Sequence, residues 1–207
     1  MRTVDFYFDF SSTNSYFAAF MLPEMCRRLG ARINWLPIHL AALFQTTGFD
    51  VMAMTPRKAR YLWRDHQRYA ELTGLPFRRP SRFPIKTAAA LRAVLAAAQR
   101  PTAAGDQLAA DSAKERFSQA MFRAYWERDE DIADHAVIAK VGEGAGFAPA
   151  ALLEAADSAA VRDQLAAITA RAATRGVFGA PMFFVGDEMF WGKDRLEFVE
   201  RWLQRPD

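Results

Sequence analysis

The sequence predicts an α/β fold in which both ends of the chain build one small sheet and a long all-helical insertion separates them. Three observations predict it. The N-terminal end reads strand, helix, strand; the C-terminal end reads strand, strand, helix; and the pattern between them is almost continuously helical.

The first strand spans Thr3 to Asp9, where Val4, Phe6 and Phe8 alternate to give one apolar face. A polar cluster, Ser11 to Ser15, follows it. Ala18, Leu22, Met25 and Leu29 then recur at helical spacing up to Gly30, the pattern of a capped amphipathic helix. Pro23 lies inside and is expected to kink the helix or split it. Arg32 to Pro37 reads as a second strand, and a crossover of this length implies that the two strands run parallel.

Between Leu40 and Gly176 the residues are rich in alanine and poor in β-branched types. A helix is predicted from Thr55, with Thr as cap and Pro56 at its first position, to Thr73. Others are predicted near 86–99, 106–127, 134–142 and 158–175, the last capped by Ser158. Strand character returns at Pro181 to Val185 and Glu188 to Trp191, joined by a Gly186-Asp187 hairpin turn. A final helix begins near Asp194, with Glu197 as its capping-box partner. The outer segments are the parts of a thioredoxin fold. The expected division is residues 1–39 and 177–207 for the sheet domain and 40–176 for the inserted helical domain.

Composition narrows the function classes. Of 207 residues 51% are hydrophobic and 25% charged, a globular balance that excludes disorder. The net charge is +3 with basic residues scattered along the chain, which argues against nucleic acid as the main partner. The single Cys26 permits no intramolecular disulfide, no paired-thiol redox centre and no cysteine-based zinc site, and it reads as a buried inert thiol. Three separated histidines lack metal-ligand spacing, so no metal is expected. No signal-peptide pattern opens the chain and no uncharged run approaches about 18 residues. The expectation is a cytoplasmic protein with no membrane partner.

Two stretches carry a resemblance. Val4-Asp5-Phe6-Tyr7-Phe8-Asp9-Phe10-Ser11-Ser12 with Ser15-Tyr16-Phe17-Ala18, and Gly176 to Pro181 with Phe184 to Leu196, resemble the two signatures of the 2-hydroxychromene-2-carboxylate isomerases and their relatives, the kappa-class glutathione transferases. Pro56 to Tyr61 and Gly74-Leu75-Pro76 resemble the helical insertion of the same family, so the likeness spans the chain. It implies a thioredoxin-like domain of the DsbA and kappa transferase type with an inserted helical domain, a homodimer, glutathione as cofactor and a small aromatic or chromene carboxylate as substrate. The activity implied is cis-trans isomerisation through a transient glutathione adduct in aromatic degradation. A kappa-like transferase or peroxidase, or a glutathione-binding protein without turnover, are the alternatives.

The family's active-site serine falls on Ser12, where the first strand runs into its helix. A helix N-terminus offers free amides and a positive dipole end, which suits a thiolate. A thiol with a pKa near ~8.5 is mostly protonated at neutral pH, so a site that stabilises the anion makes the nucleophile. Ser12 would donate a hydrogen bond to the sulfur; as a plain N-cap it would only hold its helix. Thr13 stands where relatives have proline.

Ala180-Pro181 matches the cis-proline element whose preceding residue pairs with the cysteinyl part of glutathione. Asp194 matches the acidic residue that holds the γ-glutamyl ammonium, with Lys193 beside it. Phe49 and Lys86 stand where relatives have asparagine, and these departures bear on substrate identity. His39 could act in the pocket as acid or base, and Trp191 could wall it, although a tryptophan there is more often core. His66 reads as a packed histidine and His135 as a surface residue.

Overall fold

A computed structural model of the chain describes residues 1–48, 54–99 and 107–205. Four strands form one mixed sheet: β1 (Thr3–Phe8), β2 (Arg32–Pro37), β3 (Met182–Val185) and β4 (Glu188–Trp191), in the order β2-β1-β3-β4. β1 and β2 pair in parallel, as the crossover length requires, while β3 runs antiparallel to both β1 and β4. The alternation in β1 does what it predicts. Val4, Phe6 and Phe8 are buried, and Phe6 stacks on Phe183 of β3 at 5.4 Å and meets Trp35 of β2 edge-on at 5.0 Å.

Helix α1 (Thr13–Leu29) is one continuous element that runs through Pro23, so the proline does not split it. The reason is specific. Proline at 23 leaves the carbonyl of Ala19 without its intrahelical donor, and Gln119 supplies one from its side-chain amide at 2.9 Å. Gln119 belongs to α5 (Gln107–Trp126), which packs alongside α1.

The helices between β2 and β3 match the periodicity closely: α3 (Pro56–Thr73), α4 (Ala88–Ala97), α5, α6 (His135–Gly144) and α8 (Ala159–Thr174). Thr55 caps α3 and Ser158 caps α8, each accepting from a backbone amide three residues on at 3.3 Å. Two short helices, α2 (Leu40–Thr47) and α7 (Pro149–Asp157), lie where the sequence pattern resolves no separate element. Leu72, an apolar residue near the end of α3, faces solvent. Helices α4, α5 and α8 pack directly on β2, so the sheet and the insertion share one continuous core.

After the hairpin, whose Gly186 takes φ +62°, a 3-10 turn (Lys193–Arg195) precedes α9 (Leu196–Leu203). The predicted Asp194–Glu197 capping box does not form. The turn, closed by Arg195 N–H donating to Gly192 O at 3.0 Å, moves the helix start beyond Asp194; Asp194 pairs with Arg195 and Glu197 with Arg201.

Where β1 ends, a carboxylate sits in the core. Asp9 is 1% exposed, and its two oxygens take four donors: Ser11 N–H and hydroxyl at 2.8 Å each, Leu40 N–H at 2.9 Å and the Thr87 hydroxyl at 3.1 Å. Burial pushes this carboxyl above the ordinary range, and the bonds from Leu40 and Ser11 pull against that. Leu40 opens α2 and Thr87 precedes α4, so one side chain gathers three element starts. Asp9→Asn would turn an amide NH2 toward donors that need an acceptor. The expected loss is about 2–4 kcal/mol in denaturant unfolding, and a loss under about 1 kcal/mol would remove Asp9 from this role.

Candidate active site

The loop from Asp9 to Ser12 is a tight turn in which Ser12 N–H donates to Asp9 O at 3.1 Å. Ser12 then caps α1: its backbone is extended (φ −89°, ψ 111°), and its hydroxyl oxygen accepts from Ser15 N–H at 3.1 Å. The same hydroxyl donates to the carbonyl of Ala180 at 2.9 Å. That bond joins the N-terminal turn to the loop before β3 across 168 residues of chain. The first turn of α1 holds no acidic side chain, so nothing within that turn opposes the positive end of the helix dipole. Asn14, two residues on from Ser12, carries a buried amide oxygen with no donor. Thr13 is buried at the first helical position.

The Ala180–Pro181 peptide is cis, as is Phe83–Pro84, which the sequence reading did not anticipate. The carbonyl of Pro181 accepts from Gly192 N–H at 3.0 Å, which fastens the turn carrying Lys193 and Asp194 to the cis-proline loop. Gly192 is required there: its φ is +102°, and a Cβ would stand 2.6 Å from the carboxylate of Asp194. The indole of Trp191 lies over Gly179, where a Cβ would meet its nitrogen at 3.0 Å, and packs edge-on with Phe178 at 5.0 Å. Trp191 is 54% exposed, so it is a cover over the residues before Ala180 and not core.

Lys193, expected as a glutathione contact beside Asp194, has its side chain turned inward. It is only 9% exposed, and its ammonium lies 4.2 Å from the ring centre of Tyr69 and 5.8 Å from that of Phe17, a cation–π seat between α3 and α1. Burial lowers its pKa, against the attraction of Asp194 and Asp65. Asp194 itself is exposed.

Other candidates fall elsewhere. His39 precedes α2 and lines an apolar cavity with Leu43, Arg92, Arg162 and Thr169, whose lining includes neither Ser12 nor Ala180. Lys86 is exposed just before the start of α4, and Phe49 lies outside the described residues. Cys26 is buried, and burial pushes its thiol up to about 12, the inert thiol expected. Among the described residues no cluster of His, Cys, Asp and Glu could hold a metal ion. No described helix is long and apolar enough to cross a membrane.

Sequence reasoning missed the aromatic side of the site. The Tyr16 hydroxyl, one turn beyond Ser12, donates to Pro76 O and to Glu127 at 3.1 Å, while the Trp126 indole donates to Phe10 O at 2.9 Å. These bonds bring the helical insertion to the Ser12 turn, and the only signal for them in the sequence is the density of aromatic residues.

A family model for the DSBA-like thioredoxin domain matches residues 3–204. The chain is 32% identical over 208 residues to a 2-hydroxychromene-2-carboxylate isomerase of Sphingobium xenophagum, covering 98% of each protein, and 31% identical to one of Pseudomonas putida, covering 98% of this chain and 94% of that one. The chain belongs to the 2-hydroxychromene-2-carboxylate isomerase family. A solved structure of such an isomerase superposes on this member of the family with a TM-score of 0.81 at 29% identity, covering 97% and 94% of the two chains. The rat glutathione S-transferase kappa 1 is 25% identical over 98% of this chain and 93% of its own. The cytosolic disulfide reductase DsbM of Pseudomonas aeruginosa, solved with GSH, shares the fold at a TM-score of 0.63 and 20% identity, covering 98% of this chain and 100% of its own.

In this family member His66 is the packed histidine expected, set among the rings of Trp63 (5.9 Å), Phe77 (6.1 Å) and Phe17 (6.4 Å), its Nδ1 buried without a partner. Burial first, then the charge of Lys193, holds its pKa down to about 4 from the ordinary 6.5. An unfolded histidine gains its proton near 6.5, so the stability contributed by neutral His66 is complete above that pH and lost as pH falls toward 4, by at most about 3 kcal/mol. His66→Gln should flatten the stability-against-pH curve between 6.5 and 4. An unchanged acid limb would assign it to other groups.

Proposed function

We propose that this protein is a glutathione-dependent isomerase acting on a small aromatic carboxylate of the hydroxychromene type. The observation that carries the reading is the hydrogen-bond pair of Ser12, which caps α1 while giving its proton to the carbonyl before the cis proline.

The residues present fit glutathione. A peptide-like ligand needs a strand-like edge, and Ala180 offers a carbonyl whose partner is an exchangeable hydroxyl and an amide with no acceptor among the described residues. If a cysteinyl N–H takes the Ala180 carbonyl, the Ser12 hydroxyl is released to donate to the sulfur placed beside it. One ligand bond thereby frees the donor that the thiolate needs. The first turn of α1, which carries no acidic side chain, adds a positive potential at the same point and requires no rearrangement to act. The buried Asn14 oxygen offers an acceptor at that helix end.

When bound, glutathione supplies a thiolate that adds reversibly to the conjugated double bond of the substrate and lets it rotate. Ser12 stabilises the sulfur anion on arrival and again on departure, so it serves both directions without becoming covalently bonded. The Tyr16 and Trp126 bonds hold the aromatic wall against this turn and limit water there.

Calorimetric titration of glutathione near pH 6.5 in two buffers of different ionisation enthalpy tests the reading, paired with an isomerase assay on 2-hydroxychromene-2-carboxylate. Binding with proton release, and turnover that leaves glutathione unconsumed, is the expected result. Binding without turnover, or thiol consumed in proportion to product, would favour one of the alternatives. Ser12→Ala should fold with a stability loss of about 1 kcal/mol from the missing cap, while proton release disappears and turnover falls about a hundredfold or more. Turnover within about twofold of the parent protein would take Ser12 out of the chemistry.

A further inference from the structure

The loop that joins α3 to α4 carries three arginines, Arg78, Arg79 and Arg82. Two are neutralised: Arg78 pairs with Asp129 at 3.6 Å and Arg82 with Asp131 at 3.4 Å. Arg79 makes no ion pair or hydrogen bond among the described residues, and its guanidinium carbon sits over the ring of Trp63, 4.9 Å from the centre. A guanidinium has five N–H donors in its own plane, so a seat on a ring leaves them available to a carboxylate.

Beside it, Phe83 meets the same Trp63 edge-on at 5.1 Å and is 42% exposed. This platform is held firmly. Arg78 N–H donates to Trp126 O at 2.7 Å, Ser81 N–H to Asp129 at 2.7 Å, and the Tyr125 hydroxyl to Arg82 O at 2.5 Å. Trp63 and Phe83 lie 6.5 and 6.3 Å from Trp126, whose indole binds the peptide of Phe10 beside the Ser12 turn. An unpaired cation and an exposed ring thus share one rigid aromatic wall that begins at the candidate site.

We propose that Arg79 binds the carboxylate of a planar aromatic acid whose ring lies against Phe83, and so sets the substrate preference of the site at Ser12. The assignment rests on the isomerase reading for its connection to turnover but makes a separate claim about binding. Arg79 is a specificity residue, with no part in bond making.

The test uses chromone-2-carboxylate, a planar acid, and its neutral carboxamide as probes in calorimetric titrations. The parent protein should bind the acid saturably, and Arg79→Gln should weaken that binding about tenfold or more, the size of one lost charge-assisted hydrogen bond. Arg79→Lys should recover part of it. Carboxamide binding and glutathione affinity should not change in either variant, and Arg78→Gln should bind the acid as the parent does. Equal binding by Arg79→Gln, an equal loss in Arg78→Gln, or no binding by the parent protein would overturn the proposal. Turnover separates the two readings. Acid binding through Arg79 without isomerisation would remove the isomerase and keep this site, whereas isomerisation with an unchanged KM in Arg79→Gln would do the reverse.

Discussion

A buried carboxylate with four donors and no cationic partner within its hydrogen-bonding shell is the interaction on which the arrangement around Ser12 depends. Asp9 ends the apolar run of β1, and its oxygens collect the Ser11 turn, the first amide of α2 and the hydroxyl that precedes α4. Taking such a group out of water costs several kcal/mol, and only a complete set of donors offsets that cost. The geometry is therefore close to all-or-none: a displaced α2 or α4 leaves an acceptor unpaired, and a displaced Ser11 moves the turn that presents Ser12. The same residue couples sheet and insertion, because two of its donors belong to helical segments and two to the strand-helix junction.

The candidate site divides its work between those two parts of the chain. The sheet ends supply the polar chemistry, with Ser12 and the Ala180 carbonyl joined at 2.9 Å. The insertion supplies apolar surface through Trp126, Trp63, Phe77 and Phe83. Lys193 holds the seam between them, since its cation rests on rings from α1 and α3 while its backbone belongs to the turn after β4. Burial works against the charge of this lysine, and the ring faces and the field of Asp194 and Asp65 work for it. The low pKa of His66 follows from the same packing, first because burial among the rings disfavours its charged form and then because the cation of Lys193 opposes a second positive charge.

How far the sequence predicts this structure depends on whether a feature is local. β1 and the hairpin at Gly186 were legible because alternation and turn chemistry act over a few residues, and the long helices were legible because several turns establish their period. Helices α2 and α7, two turns each in apolar surroundings, carry too little periodic signal. Ser12 and Ala180-Pro181 stood out as local motifs, but the hydrogen bond between them spans most of the chain and belongs to the fold. Asp194 was misread as a cap because the backbone at Gly192 decides where α9 starts, and composition does not encode that angle. The direction of the Lys193 side chain was invisible for a related reason: Tyr69 and Phe17 reach it only through tertiary packing. Asp9 gave a faint signal, an acid between Phe8 and Phe10, whose meaning required its four donors.

One flaw in a helix ties together two distant parts of the chain. Pro23 leaves Ala19 with an orphaned carbonyl in the middle of α1, and the chain meets that need from Gln119, a hundred positions later. The helix that follows Ser12 is thus finished only when α5 docks, and it is finished in one axial alignment, since a shift of either helix by a single turn would carry amide and carbonyl out of reach. The irregularity acts as a molecular keyway: it tells α5 where along α1 to stop, and through Trp126 at the end of α5 it determines where the aromatic wall stands relative to the serine.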